Sequence, residues 1–374
     1  MHRKQNIPFN DLKSQYQSIQ AEIDHAIKKV IMDCAYIRGP YVEQFEAHFA
    51  TFCNASHCIG VGNGTDAIYL ALKALGIGPG DEVVVPANTF IATAEAVTLT
   101  GAQVVFVDCD PVTYNMDMGA LAAAFSHRTR AVIPVHLYGH PVDMDSVKAL
   151  SHKHGAKIVQ DCAQAHGAMW DGHHLAEYGD ALCFSFFPGK NLGAYGDAGA
   201  VVTNDETVDQ KVRMLANHGR ADKYGHMFEG VNSRMDGIQG AVLDVKLKYL
   251  EAWTERRHQI AGMYDRLLAG VGDIKTPVCG LRAKHVYHLY VIRTNERDGL
   301  RTFLKEEGIA SGIHYPLALP NLPAYSHLKH SVSHCATAVR YQEQILSLPI
   351  FPEMTDEMVN CVADAVARYY RKDT

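Results

Sequence analysis

No stretch of this 374-residue chain approaches the ~18 uninterrupted apolar residues of a membrane-spanning helix, so a membrane span is not expected. The N-terminal MHRKQNIPFNDLKSQYQ has no apolar core of the kind a signal peptide needs, which makes the cytoplasm the expected compartment. No run of Lys and Arg forms a basic arm, and the net charge of −6 with a pI near 6.4 gives no reason to expect nucleic acid or an anionic membrane as partner. No C-x-x-C occurs among the nine cysteines, and nine is odd. Reduced core thiols therefore fit better than a disulfide framework or a zinc site. H-E-x-x-H is absent as well. His327, His330 and His334 would share one helical face, but Ser331 and Ser333 dilute that pattern, and no metal is expected. The dinucleotide fingerprint G-x-G-x-x-G is missing, because the turn GNGTDAI carries Thr65 where the last glycine is needed. A P-loop is missing too, since Gly189-Lys190 is followed by Asn191.

What is present is ordinary in bulk and specific in places. Hydrophobic residues make up 47% and charged residues 20%, as in a soluble globular protein of about two domains. After an extended arm (Ile7 to Leu12), Ile19, Ile23, Ile27 and Val30 mark one face of a helix from Lys13 to Met32. Gly39-Pro40 breaks it, and Val42, Phe45, Phe49 and Phe52 mark a second helix. From Cys58 to Asn217 strand and helix signals alternate, with strands expected at 82–85, 104–107, 131–135, 157–160, 182–187 and 200–203. Such alternation predicts an α/β fold with a mostly parallel sheet covered on both faces. From Gly237 the pattern turns helical, with one long helix expected to Leu268. A strand (His288 to Arg293), a helix (Arg297 to Glu306), a strand (Ile309 to His314) and two helices (Ser333 to Leu346, Thr355 to Tyr370) follow. We therefore expect a large domain over residues 1–250, including the arm, and a smaller α+β domain over 251–374.

Three features carry chemistry. The first is the glycine turn Gly60, Gly62, Gly64 that opens a helix at Thr65-Asp66. Free N–H groups at a helix N-terminus bind phosphate, although a strand–turn–helix without ligand reads the same way. The second is Asp161 at the end of KIVQD. A carboxylate at a buried strand end needs a partner, either as a helix N-cap or as the counter-charge of a protonated ligand nitrogen; Gln164 and His166 follow within reach of the same pocket. The third is Lys190 in DALCFSFFPGKNLGAYGDAGA, an amine on a glycine-rich loop behind an apolar run. Desolvation lowers a lysine pKa, and a neutral amine attacks carbonyls to form a Schiff base. A plain surface lysine is the competing reading.

The blocks GNGTDAI, GDEVVVPANTFIATA, VFVDCDPVTYNMD, IPVHLYGH, QDCAQAHGA, CFSFFPGKNLGAYGDAGAVVTND, NHGR and GVNSRMDGIQGAVL resemble, in order and over nearly the whole chain, the DegT/DnrJ/EryC1/StrS nucleotide-sugar aminotransferases. That resemblance implies the aspartate aminotransferase-like fold type I of transferases that use pyridoxal 5′-phosphate (PLP). It implies PLP joined as a Schiff base to Lys190, which also moves the proton during catalysis. Asp161 would keep the pyridine nitrogen protonated, and backbone N–H groups of Gly64, Thr65 and Asp66 with the Ser185 hydroxyl would hold the phosphate. Phe90 would lie against the ring, Gln164 would reach its 3-oxygen, and Asn232 would reach the phosphate of a neighbouring subunit, making the unit a homodimer with shared active sites. L-glutamate would be the donor. HVYHLYVIRT and SGIHYPLALPNLPAY resemble the subgroup acting on dTDP-linked 3-keto-6-deoxyhexoses, with His314 and Tyr315 lining the sugar pocket and Arg220 at an anionic group. Amination at C4, or of UDP- or GDP-linked sugars, stays open. So do a Tyr315 that only packs and a PLP-holding regulator without turnover.

Overall fold

The computed structural model describes residues 6–222 and 224–371, without the side chains of 329–332. In chain order the first half contains α1 (Leu12–Met32), α2 (Pro40–Phe52), β1 (His57–Val61), α3 (Gly64–Ala74), β2 (Glu82–Pro86), α4 (Ile91–Leu99), β3 (Gln103–Val107), α5 (Met118–Ala124), β4 (Thr129–Val132), α6 (Met144–His154) and β5 (Lys157–Asp161). Then come β6 (Met169–Trp170), β7 (His173–His174), β8 (Ala181–Ser185), β9 (Gly199–Thr203), α7 (Glu206–Leu215), α8 (Gly237–Leu247) and α9 (Leu250–Leu267). The C-terminal part holds β10 (Ala283–Lys284), β11 (Tyr290–Arg293), α10 (Arg297–Glu306), α11 (Ala336–Tyr341), β12 (Ile345–Leu348) and α12 (Asp356–Arg371).

Seven strands form the main sheet in the order β1-β9-β8-β5-β4-β2-β3. β8, β5, β4, β2 and β3 run parallel, whereas β9 is antiparallel to both its neighbours, β8 and β1. The strands read as continuous apolar runs because both faces are covered; all five residues of β2 and of β9 are buried. Hydrophobic cores lie on either side of the sheet. A third core, built by α9, α10, α12, β11 and β12, also takes in Ile7 of the N-terminal arm, whose N–H donates to Gly308 O.

Three expectations are corrected. The helix expected from Gly237 to Leu268 is two helices, broken at Lys248 and Tyr249. Periodicity alone runs through such a break, because both helices bury the same kind of face. Ile309 to His314 is no strand of its own: it makes only isolated bridges, Ile309 to Ile7 and Gly312 to Ser347. The span from Ser333 to Leu346 holds the short α11 and then enters strand β12, which pairs with β11. Partners far away in sequence take these segments out of the conformation that local pattern suggests.

All parallel strands point their carboxyl ends the same way, and β1 does so too. The segments that leave those ends therefore converge: Asn63–Asp66 after β1, Thr89–Phe90 after β2, Asp161 closing β5, and Ser185 to Lys190 after β8. In open α/β sheets this edge is where ligands bind.

Candidate active site

Helix α3 starts where β1 ends because Asn63 caps it, its side chain accepting from Asp66 N–H at 2.8 Å. The helix is pressed against β8 at its first residue, and a Cβ on Gly64 would lie 2.6 Å from Ser185 Cβ, so only glycine allows this approach. The N–H groups of Gly64 and Thr65 are left without an intrahelical partner. The N–H of Asp66, which sequence reading groups with them, is instead donated to Asn63. The Asp66 carboxylate accepts from Ser233 Oγ at 2.7 Å, and that hydroxyl accepts from Gly62 N–H at 3.0 Å.

The loop carrying Lys190 is pinched shut by backbone bonds, Ala194 N–H to Phe186 O at 2.7 Å and Phe186 N–H to Ala198 O at 2.8 Å. Lys190 opens onto a cavity of about 640 Å3 that it shares with Gly64, Thr65, Asp66, Phe90, Asp161, Gln164, Ser185 and Tyr315. Burial pushes the Lys190 amine down to about 8, with the charge of Asp161 opposing. Asp161 is 6% exposed. Burial pushes its carboxyl up, against the Thr93 hydroxyl donating at 2.8 Å and the Ala163 N–H donating at 3.0 Å. The near partners of this buried carboxylate are two neutral donors and, through its charge, Lys190, an environment that can stabilise a protonated ring nitrogen.

Gln164 is fixed at both ends. Its Oε1 accepts from Tyr138 N–H at 2.6 Å and its Nε2 donates to Tyr315 OH at 3.0 Å. Tyr138 adopts a left-handed backbone, with φ of 61°, which aims that N–H at Gln164; a non-glycine residue held there is backbone strain at a site. Phe90 is 52% exposed to the open cavity and lies 5.3 Å from Tyr315, ring centre to ring centre. His314 lies beside the site, stacked on Phe9 of the arm at 5.6 Å and bonded through Nδ1 to Ser347 Oγ at 2.8 Å. Burial, and then Lys190, pull its imidazole down to about 4. His166, fully buried and bonded to Ser185 O at 3.1 Å, is pulled down by burial to about 3, and its Nδ1 has no partner among the described residues.

Three expected site residues do not line this cavity within the chain: His314, which stands behind Tyr315, and Arg220 and Asn232, which lie farther off. Arg220 lines a separate groove with Arg38, Arg213 and Asn217, and Asn232 is exposed on the chain surface beside Ser233. Thr93, Tyr138 and Asp197 escaped sequence reading. Thr93 lies one turn into α4, where its hydroxyl merges with a run of small residues, and Tyr138 acts through its backbone. Among the described residues no group of three or more His, Cys, Asp or Glu is placed to hold a metal, and the His330 side chain lies outside them.

Residues 17–367 match the model of the DegT/DnrJ/EryC1/StrS aminotransferase family. The chain belongs to that family. It is 44% identical to a dTDP-3-amino-3,4,6-trideoxy-alpha-D-glucose transaminase of Streptomyces venezuelae, over 97% of this chain and 96% of the other. It is 43% identical, over 97% of each, to a UDP-N-acetyl-3-dehydro-alpha-D-glucosamine 3-aminotransferase of Acidithiobacillus ferrooxidans. It is also 44% identical, over 98% and 99%, to a Geobacillus stearothermophilus protein named a pleiotropic regulatory protein. The crystal structure of S. venezuelae DesV in complex with a ketimine intermediate superposes with a TM-score of 0.94 at 44% identity, covering 98% of both chains. The α/β architecture of this aminotransferase is thus the fold-type-I architecture of its family, and the Lys190 cavity lies at the carboxyl edge of its sheet.

Proposed function

We propose that this aminotransferase moves an amino group from L-glutamate to C3 of a nucleotide-linked 3-keto-6-deoxyhexose, with dTDP as the first nucleotide to try, using PLP attached to Lys190. The observation that carries the reading is the pairing, in one cavity, of an amine lowered to about 8 with a buried carboxylate at the end of β5. PLP, when bound, supplies an electron sink for the carbanion beside the transferred nitrogen. The chain supplies the rest. Asp161 would hold a proton on the ring nitrogen, Phe90 would cover one ring face, and the second N–H of Gln164 Nε2 would face the ring oxygen. The N–H groups of Gly64 and Thr65, which have no intrahelical partner, would hold the phosphate at a helix N-terminus together with the Ser185 hydroxyl. Asp66, with its N–H committed to Asn63, anchors Ser233 rather than the phosphate.

Lys190 is the base that takes the proton from the donor Cα and the acid that returns it. Tyr315 borders the space left for the sugar with His314 packed behind it, 5.7 Å away between ring centres, and both stay neutral at pH 7. Asn232 and Arg220 serve the site of a second subunit in a homodimer. Support for that comes from Met227 (70% exposed) and Val231 (37%), apolar side chains exposed on the stretch between them. The protein works in the cytoplasm, in keeping with its free cysteines; among the described residues no helix is long and apolar enough to cross a membrane.

C3 is favoured over C4 because the two sugar-specific relatives named above are both 3-amino enzymes, on different nucleotides. The regulatory reading, suggested by one relative's name, fits poorly with a complete lysine, carboxylate and phosphate cradle. The test is a panel of 3-keto and 4-keto hexoses on dTDP, UDP and GDP, supplied with glutamate, the aminated carbon being located by NMR. We expect amination at C3 of the dTDP sugar. Amination at C4 alone would overturn the regiochemistry, and no amine transfer to any member by PLP-loaded protein would return the regulator.

A further inference from the structure

Lys246 is the most deeply buried lysine near the site, yet it touches nothing in the cavity. It lies on α8 with 1% of its surface exposed, so it does not extend its ammonium to water as most half-buried lysines do. Its Nζ donates to Gly193 O at 2.7 Å and stands 4.2 Å from the centre of the Tyr195 ring. Both partners belong to the far end of the Lys190 loop. The loop is tight there, since a Cβ on Gly193 would lie 2.3 Å from Pro188 O. Burial pushes the ammonium of Lys246 down to about 8, opposed by Glu353, whose own Oε2 has no hydrogen-bond partner among the described residues. A buried ammonium is costly, and an apolar side chain of similar length in its place is often neutral or stabilising. Stability alone therefore does not account for a lysine at this position.

The opposite flank of the loop is held in a related way. Asn191, next to Lys190, accepts from His288 Nδ1–H at 3.1 Å and donates to Val286 O at 3.1 Å. Arg257 of α9 donates to the carbonyls of Tyr287 at 3.1 Å and Ile350 at 2.8 Å. The loop is thus held on one side by Lys246 of α8 and on the other, through Asn191, by the segment Val286 to His288, which Arg257 of α9 steadies in turn.

We propose that Lys246 is a positioning residue for the reaction: its ammonium, bonded to the Gly193 carbonyl against the Tyr195 ring, fixes the loop that aims Lys190 Nζ. The inference rests on the reading that Lys190 carries the cofactor. A loop error of about 1 Å at a reacting amine is worth on the order of 100-fold in rate. Lys190 itself is surrounded by Asp161 and by His166, His288 and His314, all three imidazoles held neutral by burial. Loosening the loop admits water, so the pKa of the amine rises.

The test uses PLP-loaded wild type, Lys246→Met and Lys246→Arg. Borohydride reduction followed by peptide mass analysis reports where the cofactor is fixed. A pH titration of the cofactor's visible absorbance reports the Lys190 nitrogen in its Schiff base, and the half-reaction with glutamate reports catalysis. We expect Lys246→Met to be fixed on Lys190 as in wild type, to slow the half-reaction by at least about tenfold with KM for glutamate within twofold, and to shift the absorbance midpoint. Lys246→Arg should recover part of both losses. Wild-type rate and midpoint in folded Lys246→Met overturn the proposal. If Lys246→Met does not fold, Tyr195→Leu decides. It removes the ring from the ammonium, and a midpoint and rate unchanged from wild type overturn the proposal equally. Should wild type be fixed on another lysine, the assignment of Lys190 fails, a result distinct from a Lys246 that merely has no effect.

Discussion

A lysine and an aspartate at the same sheet edge have had their ordinary ionisation pulled in opposite directions by one cause. Burial lowers the Lys190 amine and raises the Asp161 carboxyl, because each charged form loses water. In the cofactor-free protein burial pushes the amine down to about 8, so it is protonated below that pH and neutral above it. The rate at which that protein captures added PLP should therefore rise about tenfold per pH unit up to pH 8 and then level off, as stopped-flow absorbance would register. A capture rate still climbing steeply at pH 10 would place Lys190 in water. Replacement of Lys190 by alanine removes both nucleophile and base, and the glutamate half-reaction should fall by about 1,000-fold or more. Both residues were legible in the sequence, one from its glycine-flanked loop and one from its strand end. Thr93, which donates to Asp161, was not, because a threonine in a run of small residues carries no signal until the helix is placed.

At the scale of the element, the start of α3 is where backbone and function meet. Asn63 satisfies one orphan N–H and leaves those of Gly64 and Thr65 free, so the cap sorts which donors remain for an anion. The approach of α3 to β8 depends on Gly64, and a Cβ at 2.6 Å from Ser185 must push the two elements apart. We expect Gly64→Ala to cost about 1–3 kcal/mol of stability, the usual penalty of overpacking, and to weaken PLP binding at least tenfold. Thermal unfolding and a cofactor titration would check both. A variant with unaltered PLP affinity would move the phosphate elsewhere. The glycine turn was visible in the sequence as a candidate cradle. What could not be seen was that the Asp66 N–H is consumed by the cap, since which of three orphan donors a short side chain takes is set by its rotamer.

At the scale of the whole molecule, Asn232 and Arg220 lie away from the cavity of their own chain, and the proposed dimer gives them a site to serve. Mixing Lys190→Ala with Asn232→Ala subunits should then restore roughly a quarter of wild-type activity, since half of randomly formed dimers are mixed and each mixed dimer has one intact site. Activity no higher than that of the better single variant would confine each site to one chain. The same scale divides what the chain alone determined from what folding decided. Alternating apolar strands and amphipathic helices, with the glycine turn, the strand-end aspartate and the flanked lysine, were sufficient by themselves for an α/β sheet with a desolvated amine at its edge, because those signals lie within a few residues of one another. Only the tertiary structure decided that β9 runs antiparallel between β8 and β1, that Ile309 to His314 lies between the arm and β12, that Gly237 to Leu268 is two helices, and that Lys246 grips the lysine loop. Each of these depends on a partner distant in sequence, and a hydrogen bond or packed face supplied from afar leaves no periodicity in the segment that receives it.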